Sequence, residues 1–218
     1  MSLDTTAIIG LLATVVGALS GALFAAERRF GLSGVLALAF AAGCSGSIMR
    51  DVLLQGAGPS VVLTDVRILL AVAMCAVVVF FFASAIRLLH RLLLVLDALS
   101  IGFFAAIGTG KAIGAGLDIP GAILIGSINA VGGWVLRDLL AGERPQLVLP
   151  GPIYAIAAGL ASAFYAALVI SGQVSDSLAA WATIIVGFAI RMVALRYGWT
   201  APTPVDLTPG IRRRTGRD

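Results

Sequence analysis

The sequence predicts an all-α, polytopic integral membrane protein with seven transmembrane helices, arranged as two inverted three-helix repeats plus a seventh helix. Three observations support this prediction: an apolar composition, seven long apolar runs and an internal repeat. Hydrophobic residues make up 60% of the 218 residues, charged residues only 12%, and the mean hydropathy is +1.05. A soluble domain needs more charged surface than this. Lipid is therefore the predicted environment.

The seven apolar runs are bounded by charged residues, glycine or proline, and each is long enough to cross a membrane. Crossing a hydrocarbon core of about 30 Å takes roughly 20 helical residues. The predicted helices cover approximately residues 4–26, 32–55, 66–86, 92–112, 119–141, 151–171 and 178–198. Because they use most of the chain, residues 1–218 are predicted to form a single transmembrane domain.

The first predicted helix is interpreted as a retained span rather than a cleaved signal. The residues before it, Met1 to Asp4, lack the positive charge that begins a secretory signal, and the apolar run is longer than the apolar part of such a signal.

The distribution of lysine and arginine predicts the orientation of the helices. Basic residues follow the first, third, fifth and seventh helices, at Arg28, Arg29, Arg87, Arg91, Arg144 and Arg196. The opposite side carries fewer, at Arg50, Arg67 and Lys111. The positive-inside rule therefore places the C-terminus in the cytoplasm and the N-terminus outside. Residues 199–218 carry three prolines and a basic cluster and are predicted to be a mobile tail.

An internal repeat relates the two halves of the chain. Residues 43–54, which include Arg50-Asp51, return as residues 130–141, which include Arg137-Asp138, with small residues at the same distance before each pair. The likeness extends to the segments that begin at Pro59 and Pro145. Residues 4–90 and 91–172 are therefore predicted to be two three-helix repeats, followed by the seventh helix at 178–198. Because three is odd, the second repeat should be inverted.

Small residues near the middle of the second and fifth helices are the candidate ion-pathway positions. They are Gly43, Cys44, Ser45, Gly46, Ser47, Gly132 and Gly133. Ser127 and Asn129 are possible oxygen ligands for an ion, with ordinary interhelical hydrogen bonding as the equal alternative. Inverted repeats with interrupted helices are typical of membrane proteins that hold a solute or an ion near the midplane. We expect both helices to kink there and to open their hydrogen-bond ladders. The alternative is close helix packing, which we favour for the pairs Gly17/Gly21 and Gly110/Gly114.

The duplicated Arg-Asp pairs are the candidate pore-mouth charges. Neighbours in sequence point about 100° apart on a helix, so we expect Arg50 not to neutralise Asp51 simply, nor Arg137 to neutralise Asp138. The hypothesis is that each carboxylate concentrates cations at one mouth, and the alternative is that the arginines snorkel to headgroups. Lys111 is a possible gating or lipid-contact residue, with interfacial snorkelling as its alternative.

Several function classes have no support in the sequence. There is no Walker A loop, zinc motif or Ser/His/Asp set, so no enzyme activity, metal site or cofactor is predicted. The only histidine, His90, lies in a predicted turn, and Cys44 and Cys75 show no paired spacing. The basic residues are scattered over short loops, so nucleic acid is not predicted as a partner.

The duplicated glycine-rich and Arg-Asp-Leu-Leu segments, with Gly142-Glu-Arg-Pro145 and a helix that carries Tyr154, resemble the prokaryotic trimeric intracellular cation (TRIC) channels, a family also catalogued under the name glycine transporter. The likeness covers about residues 5–197. It implies a homotrimer with one pore in each protomer, kinked second and fifth helices, and conduction of monovalent cations, with potassium as the expected ion and sodium as a second candidate. The first copy departs from the usual run of glycines at Cys44 and Ser45, so selectivity and gating details are not transferred.

Two other functions stay open at the level of sequence. An alternating-access transporter for a small solute such as glycine would use the same inverted symmetry. A non-conducting assembly, or a protein that organises membrane lipids, would need neither Asp51 nor Asp138 for any flux.

Overall fold

The computed structural model describes residues 3–55, 58–82, 89–148 and 154–199. The regular structure within these ranges is helical. Its helices are α1 (Leu3–Glu27), α2 (Leu32–Leu53), α3 (Val61–Thr64), α4 (Val66–Phe82), α5 (Leu89–Gly114), α6 (Ile119–Leu140), α7 (Tyr154–Ser171) and α8 (Asp176–Tyr197). One 3-10 turn, Gln146–Val148, lies between α6 and α7.

Each of the seven predicted spans corresponds to one long helix, and the starts of the second and fifth match at Leu32 and Ile119. Six of these helices are long and apolar enough to cross a membrane. The exception is α4, whose described part is 17 residues long. The predicted tail falls outside the described residues from position 200 onward. The short helix α3 was not predicted from the sequence.

Side-chain caps help to fix where two of the long helices begin. Asp118 precedes α6 and accepts a hydrogen bond from the backbone N–H of Gly121 at 3.0 Å. Ser175 precedes α8 and accepts one from the N–H of Leu178 at 3.3 Å. Such caps satisfy N–H groups that have no partner inside the helix.

The packing of the helices repeats between the two halves. In the first half, α1 packs against α2 and α4, and α2 packs against α4. In the second half, α5 packs in the same way against α6 and α7, and α6 against α7. The halves meet where α2 contacts α6 and α1 contacts α5, and α8 packs on α5 and α7 outside this pattern. The centre of the fold is therefore built from the corresponding helices of the two repeats.

Glycines allow the helices to approach closely at these contacts. A Cβ on Gly17 would lie 2.8 Å from the carbonyl oxygen of Ala42, and a Cβ on Gly21 would overlap the carbonyl of Leu38. The predicted packing role of Gly17 and Gly21 is confirmed, because α1 rests directly on the backbone of α2. Of the second pair, Gly110 packs against Tyr165, whereas a Cβ on Gly114 would meet open space.

Candidate ion-conduction site

The two duplicated small-residue clusters meet where α2 crosses α6. A Cβ on Gly46 would overlap the backbone carbonyl oxygen of Asn129, and a Cβ on Gly133 would lie 2.5 Å from that of Ala42. A Cβ on Gly132 would lie 2.8 Å from the sulfur of Met49. The glycines therefore bring the backbones of α2 and α6 into contact at the centre of the bundle.

The structure differs from the sequence prediction of an opened hydrogen-bond ladder. The α-helix is continuous through Gly43–Ser47 in α2 and through Gly132 and Gly133 in α6. The expectation of interrupted helices is wrong in this respect, because close packing uses the missing side chains without breaking the backbone. A bend of the helix axes stays a prediction.

The other candidate positions in α2 and α6 are distributed around this crossing. Cys44 and Ser45 are buried and Ser47 is half-buried. The hydroxyl of Ser45 donates to the carbonyl of Ala41, four residues earlier in its own helix. Ser127 is half-buried and does the same, donating to Ile123 at 2.7 Å. These two hydroxyls are therefore already used within their own helices.

Asn129 lies at the crossing and connects α6 to α5. Its Nδ2 donates to the carbonyl oxygen of Phe104 at 2.6 Å, and its Oδ1 has no hydrogen-bond partner among the described residues. The side chain is 1% exposed. Asn129 therefore places one free acceptor oxygen inside the bundle.

At one end of the bundle, Asp51 is the centre of a buried charge network, called here the Asp51 cluster. Its Oδ1 accepts hydrogen bonds from Arg50 Nε at 2.8 Å and from Lys111 Nζ at 2.7 Å, and its Oδ2 accepts one from the Ser60 hydroxyl at 2.7 Å. Asp51 is 7% exposed and Arg50 is 3% exposed. One carboxylate thus compensates two cations in the Asp51 cluster.

At the opposite end, Arg137 is the centre of the Asp138 cluster. Its guanidinium contacts Asp138 Oδ1 at 3.0 Å and Asp97 Oδ1 at 3.3 Å, and donates to the Ser20 hydroxyl at 3.2 Å. It also lies over the ring of Phe24, 4.1 Å from its centroid. The Ser20 hydroxyl donates in turn to Asp97. Here two carboxylates surround one arginine.

The two clusters share a local motif that follows each helix end. Ser60 comes directly after Pro59 and donates its hydroxyl to Asp51 Oδ2. Gln146 comes directly after Pro145 and donates its backbone N–H to Asp138 Oδ2 at 3.1 Å. Each of these residues begins or directly precedes a short helical turn, α3 in one copy and Gln146–Val148 in the other. The repeat therefore includes the segment that satisfies the second oxygen of each aspartate.

The expectation that the arginines and aspartates would not neutralise each other is wrong. Arg50 pairs with Asp51, and Arg137 with Asp138, although each pair is adjacent in sequence. The two side chains leave the helix in different directions at Cβ. The arginine side chain is long enough to bend back, so that its guanidinium reaches the neighbouring carboxylate. Lys111 likewise pairs with Asp51 instead of extending freely to the membrane surface.

Arg191 is a buried charge that the sequence analysis missed. It lies in α8, it is 0% exposed, and its guanidinium carbon is 3.5 Å from the centroid of the Tyr154 ring. None of its nitrogens has a hydrogen-bond partner among the described residues. The available signal was an arginine well inside the last apolar run, since an ionisable residue within a membrane helix marks a functional candidate.

A small cavity adjoins the Asp138 cluster. It is lined by Trp134, Arg137, Asp138, Gln146 and Tyr154 among others. Its volume is about 10 Å³, which is close to the space that one water molecule needs. The cavity therefore has room for one water molecule beside Arg137 and Asp138.

An ion pair outside the membrane-spanning segments links α1 to the loop after α6. Arg28 NH2 donates to Glu143 Oε2 at 2.9 Å, and Arg28 Nε donates to the other oxygen. The Arg28 guanidinium holds the pKa of Glu143 below its usual value, mainly through this hydrogen bond. The pair lies at the Asp138 end of the bundle.

Comparison with known proteins identifies the family. A model of the glycine transporter family matches residues 7–84 and again residues 94–169, which together exceed half of the chain. The chain belongs to the glycine transporter family. The double match falls on the two halves that the internal repeat relates. The resemblance noted in the sequence is thereby confirmed.

Members of this family with similar sequences are membrane proteins. The inner membrane protein YadS (UPF0126) of Escherichia coli K12 is 31% identical over 198 residues, which is 89% of this chain and 94% of YadS. A UPF0126 membrane protein of Vibrio cholerae is 32% identical over 205 residues, which is 93% of this chain and 84% of that protein. With six apolar helices of membrane-spanning length, this glycine transporter family member is a multi-pass membrane protein.

Solved structures confirm the predicted fold class. The TRIC trimeric intracellular cation channel orthologue from Rhodobacter sphaeroides has a TM-score of 0.81 and 31% identity, covering 89% of this chain and 98% of that one. A TRIC cation channel studied for the basis of its conductance also has a TM-score of 0.81, at 27% identity, covering 94% and 98%. The family member described here therefore has the all-helical TRIC fold.

Proposed function

We propose that this protein is a channel for monovalent cations, with potassium as the expected ion, sodium as a second candidate ion, and one pathway in each protomer. The observation that carries the proposal is the likeness to TRIC cation channels over nearly the whole chain, at a TM-score of 0.81. The pathway would follow α2 and α6, with the glycine contact at its centre.

The described charges support a conduit with one charge network at each end. The Asp51 cluster lies where α2 and α5 end, and the Asp138 cluster lies where α1 and α6 end. Both are buried, so conduction requires that water enter between them. In this proposal the Lys111–Asp51 ion pair at 2.7 Å is a contact that an opening movement breaks, because it joins α5 to α2.

Assembly and orientation belong to the same proposal. The protein would form a homotrimer in the inner membrane, with its N-terminus outside and its C-terminus in the cytoplasm, in contact with membrane lipids. Support for the trimer comes from the likeness to the R. sphaeroides trimeric channel, and support for the orientation comes from the arginine distribution.

The second candidate function is transport of a small solute such as glycine by alternating access. The family description, glycine transporter, favours it. The contact of corresponding helices from the two halves is also compatible with rocking of one repeat against the other.

Recording in a planar lipid bilayer under a potassium gradient separates the two functions. A channel gives discrete current steps and a reversal potential that follows the potassium gradient. Electrically silent bilayers combined with saturable glycine uptake into vesicles would overturn the channel proposal. The double variant Asp51→Asn/Asp138→Asn, recorded only on folded protein because loss of Asp51 weakens the fold, should change the conductance of a channel and leave every flux unchanged in a non-conducting assembly.

A further inference from the structure

Three buried oxygen atoms between α5, α6 and α7 lack any hydrogen-bond partner among the described residues. They are Thr109 Oγ1, Asn129 Oδ1 and Ser162 Oγ. Thr109 and Ser162 are 0% exposed and Asn129 is 1% exposed. Burying a polar group without a partner is unfavourable, so three such atoms in one region call for a common ligand.

The two hydroxyls of Thr109 and Ser162 differ from other hydroxyls within the helices of the same bundle. Thr14, Ser127 and Thr183 each donate to the carbonyl four residues earlier, at 3.0, 2.7 and 2.8 Å. This is the usual way in which a helix satisfies a buried hydroxyl. Thr109 and Ser162 do not make this bond, so their oxygens are left for another group.

The three side chains lie against a pair of glycines that contact each other. A Cβ on Gly126 would overlap Thr109 Oγ1 and lie 2.8 Å from Ser162 Oγ. A Cβ on Gly108 would lie 2.9 Å from the Cα of Gly126 and 2.9 Å from Asn129 Nδ2. Glycine at position 126 therefore lets Thr109 Oγ1 and Ser162 Oγ approach the backbone of α6, and glycine at position 108 lets the Asn129 amide approach the backbone of α5.

The chemistry of the cluster selects a class of ligand. Asn129 Nδ2 is already used by Phe104, which leaves the acceptor Oδ1 for the cluster. All three atoms are neutral oxygens, whereas calcium and magnesium sites in proteins contain carboxylates. Among metal ions, a monovalent alkali cation is therefore the one that neutral hydroxyl and amide oxygens suit best.

The cluster also lies along the proposed pathway. Thr109 is two residues before Lys111 of the Asp51 cluster, and the backbone oxygen of Asn129 contacts Gly46 at the α2–α6 crossing. We propose that Thr109, Asn129 and Ser162 form a binding site for a sodium or potassium ion between the Asp51 cluster and this crossing. The inference rests on the proposed cation conduction and adds to it a specific binding site for the ion.

The test measures the melting temperature of the purified protein in KCl, NaCl and N-methylglucamine chloride at equal ionic strength. The wild type should melt a few degrees higher, with a saturable dependence, in the potassium or sodium salt, since a ligand that binds only the folded state stabilises it. Thr109→Val keeps the shape and removes the oxygen, so it should abolish the ion-dependent rise. Ser162→Ala should do the same and serves if Thr109→Val does not fold.

The matched control is Thr183→Val, which removes a buried hydroxyl that already donates to Ala179. It should keep the full ion-dependent rise. An equal melting temperature in all three salts means that water occupies the cluster and overturns the site, as does a rise that Thr109→Val retains. If the protein conducts in bilayers but its melting temperature does not depend on the ion, the channel proposal is kept and only the binding site is rejected. An ion-dependent rise that requires Thr109, in a protein that carries no current, would keep the site and remove the channel.

Discussion

Asp51 neutralises both cations of its cluster, Arg50 and Lys111, with a single carboxylate. Both of its oxygens accept hydrogen bonds, since Ser60 occupies the second. Exchange of this carboxylate for an amide keeps the shape of the side chain. It leaves Arg50 buried without a counter-charge, which is the costly way to break such a network.

We predict that Asp51→Asn lowers the free energy of unfolding by roughly 3 kcal/mol, because it leaves a buried cation uncompensated. Thermal or denaturant unfolding in detergent measures the change. The control is Asp65→Asn, which removes an aspartate that pairs with the exposed Arg67 and should leave the melting temperature unchanged. Equal melting temperatures for wild type and Asp51→Asn would mean that the Asp51 cluster does not stabilise the fold.

Arg191 is held by the aromatic face of Tyr154 rather than by a carboxylate. The Tyr154 ring also packs against Trp134, with centroids 5.1 Å apart. A desolvated cation over an aromatic ring is worth about 2 kcal/mol, and an aromatic pair adds about 1 kcal/mol.

Tyr154→Leu should therefore lower the free energy of unfolding by about 2–3 kcal/mol, through loss of both ring contacts. Tyr154→Phe keeps the ring and should have a much smaller effect. The comparison is made by unfolding the two variants under the same conditions. If Leu and Phe are equally damaging, the hydroxyl rather than the ring supports Arg191.

At the scale of elements, the contact between α2 and α6 depends on Gly46 and Gly133, since a Cβ on either would meet backbone atoms of the other helix. Backbone cannot move aside as the end of a flexible side chain does. The two helices would have to separate, and packing around the crossing would be lost.

We predict that Gly46→Ala and Gly133→Ala each destabilise the protein by about 2–3 kcal/mol, as overpacking of a tight contact does. Gly10→Ala is the control, because Gly10 lies in α1 and a Cβ there would meet nothing within 4 Å. It should be neutral or slightly stabilising, since alanine is the better helix former. If Gly46→Ala is as stable as the wild type, α2 and α6 can accommodate the added Cβ without a loss of packing.

The Arg28–Glu143 ion pair connects the end of α1 with the loop after α6. The folded protein holds the pKa of Glu143 below its usual value, with the Arg28 hydrogen bond as the main cause. The stabilisation is therefore present above the unfolded pKa of about 4.3 and is lost as the pH falls through the lower folded pKa. Both side chains are partly exposed, so solvent screens the interaction.

Glu143→Gln should accordingly cost about 0.5 kcal/mol or less at neutral pH, and the difference from wild type should vanish at acidic pH and in high salt. Unfolding curves at several pH values measure this. A difference that persists at pH 2 would contradict an ionic origin.

At the scale of the whole molecule, the predicted orientation follows from arginines at one side of the bundle, including Arg28 and Arg29. Green fluorescent protein fused to the C-terminus should be fluorescent, because that end is predicted to be cytoplasmic. The same reporter placed at the N-terminus, on the other side, should be dark when it is exported unfolded. If the N-terminal fusion is fluorescent and the C-terminal fusion is dark, the Asp51 and Asp138 clusters lie on the membrane sides opposite to those predicted.

The apolar runs and the repeated segments determined the fold class, the number of long helices and most of their bounds. The reason is that a membrane-spanning helix satisfies its own backbone and must be continuously apolar, so its signal is local. The repeat of residues 43–54 in 130–141 also singled out the positions that meet at the centre of the bundle.

Only the tertiary structure decided what those residues contact. It showed that the glycines join α2 to α6 through unbroken helices, that Lys111 reaches Asp51, and that Asp97 and Ser20 complete the arginine site at the other end. These contacts join residues far apart in sequence. Their partners depend on how helices cross and how long side chains bend, and neither hydropathy nor spacing along one helix contains that information.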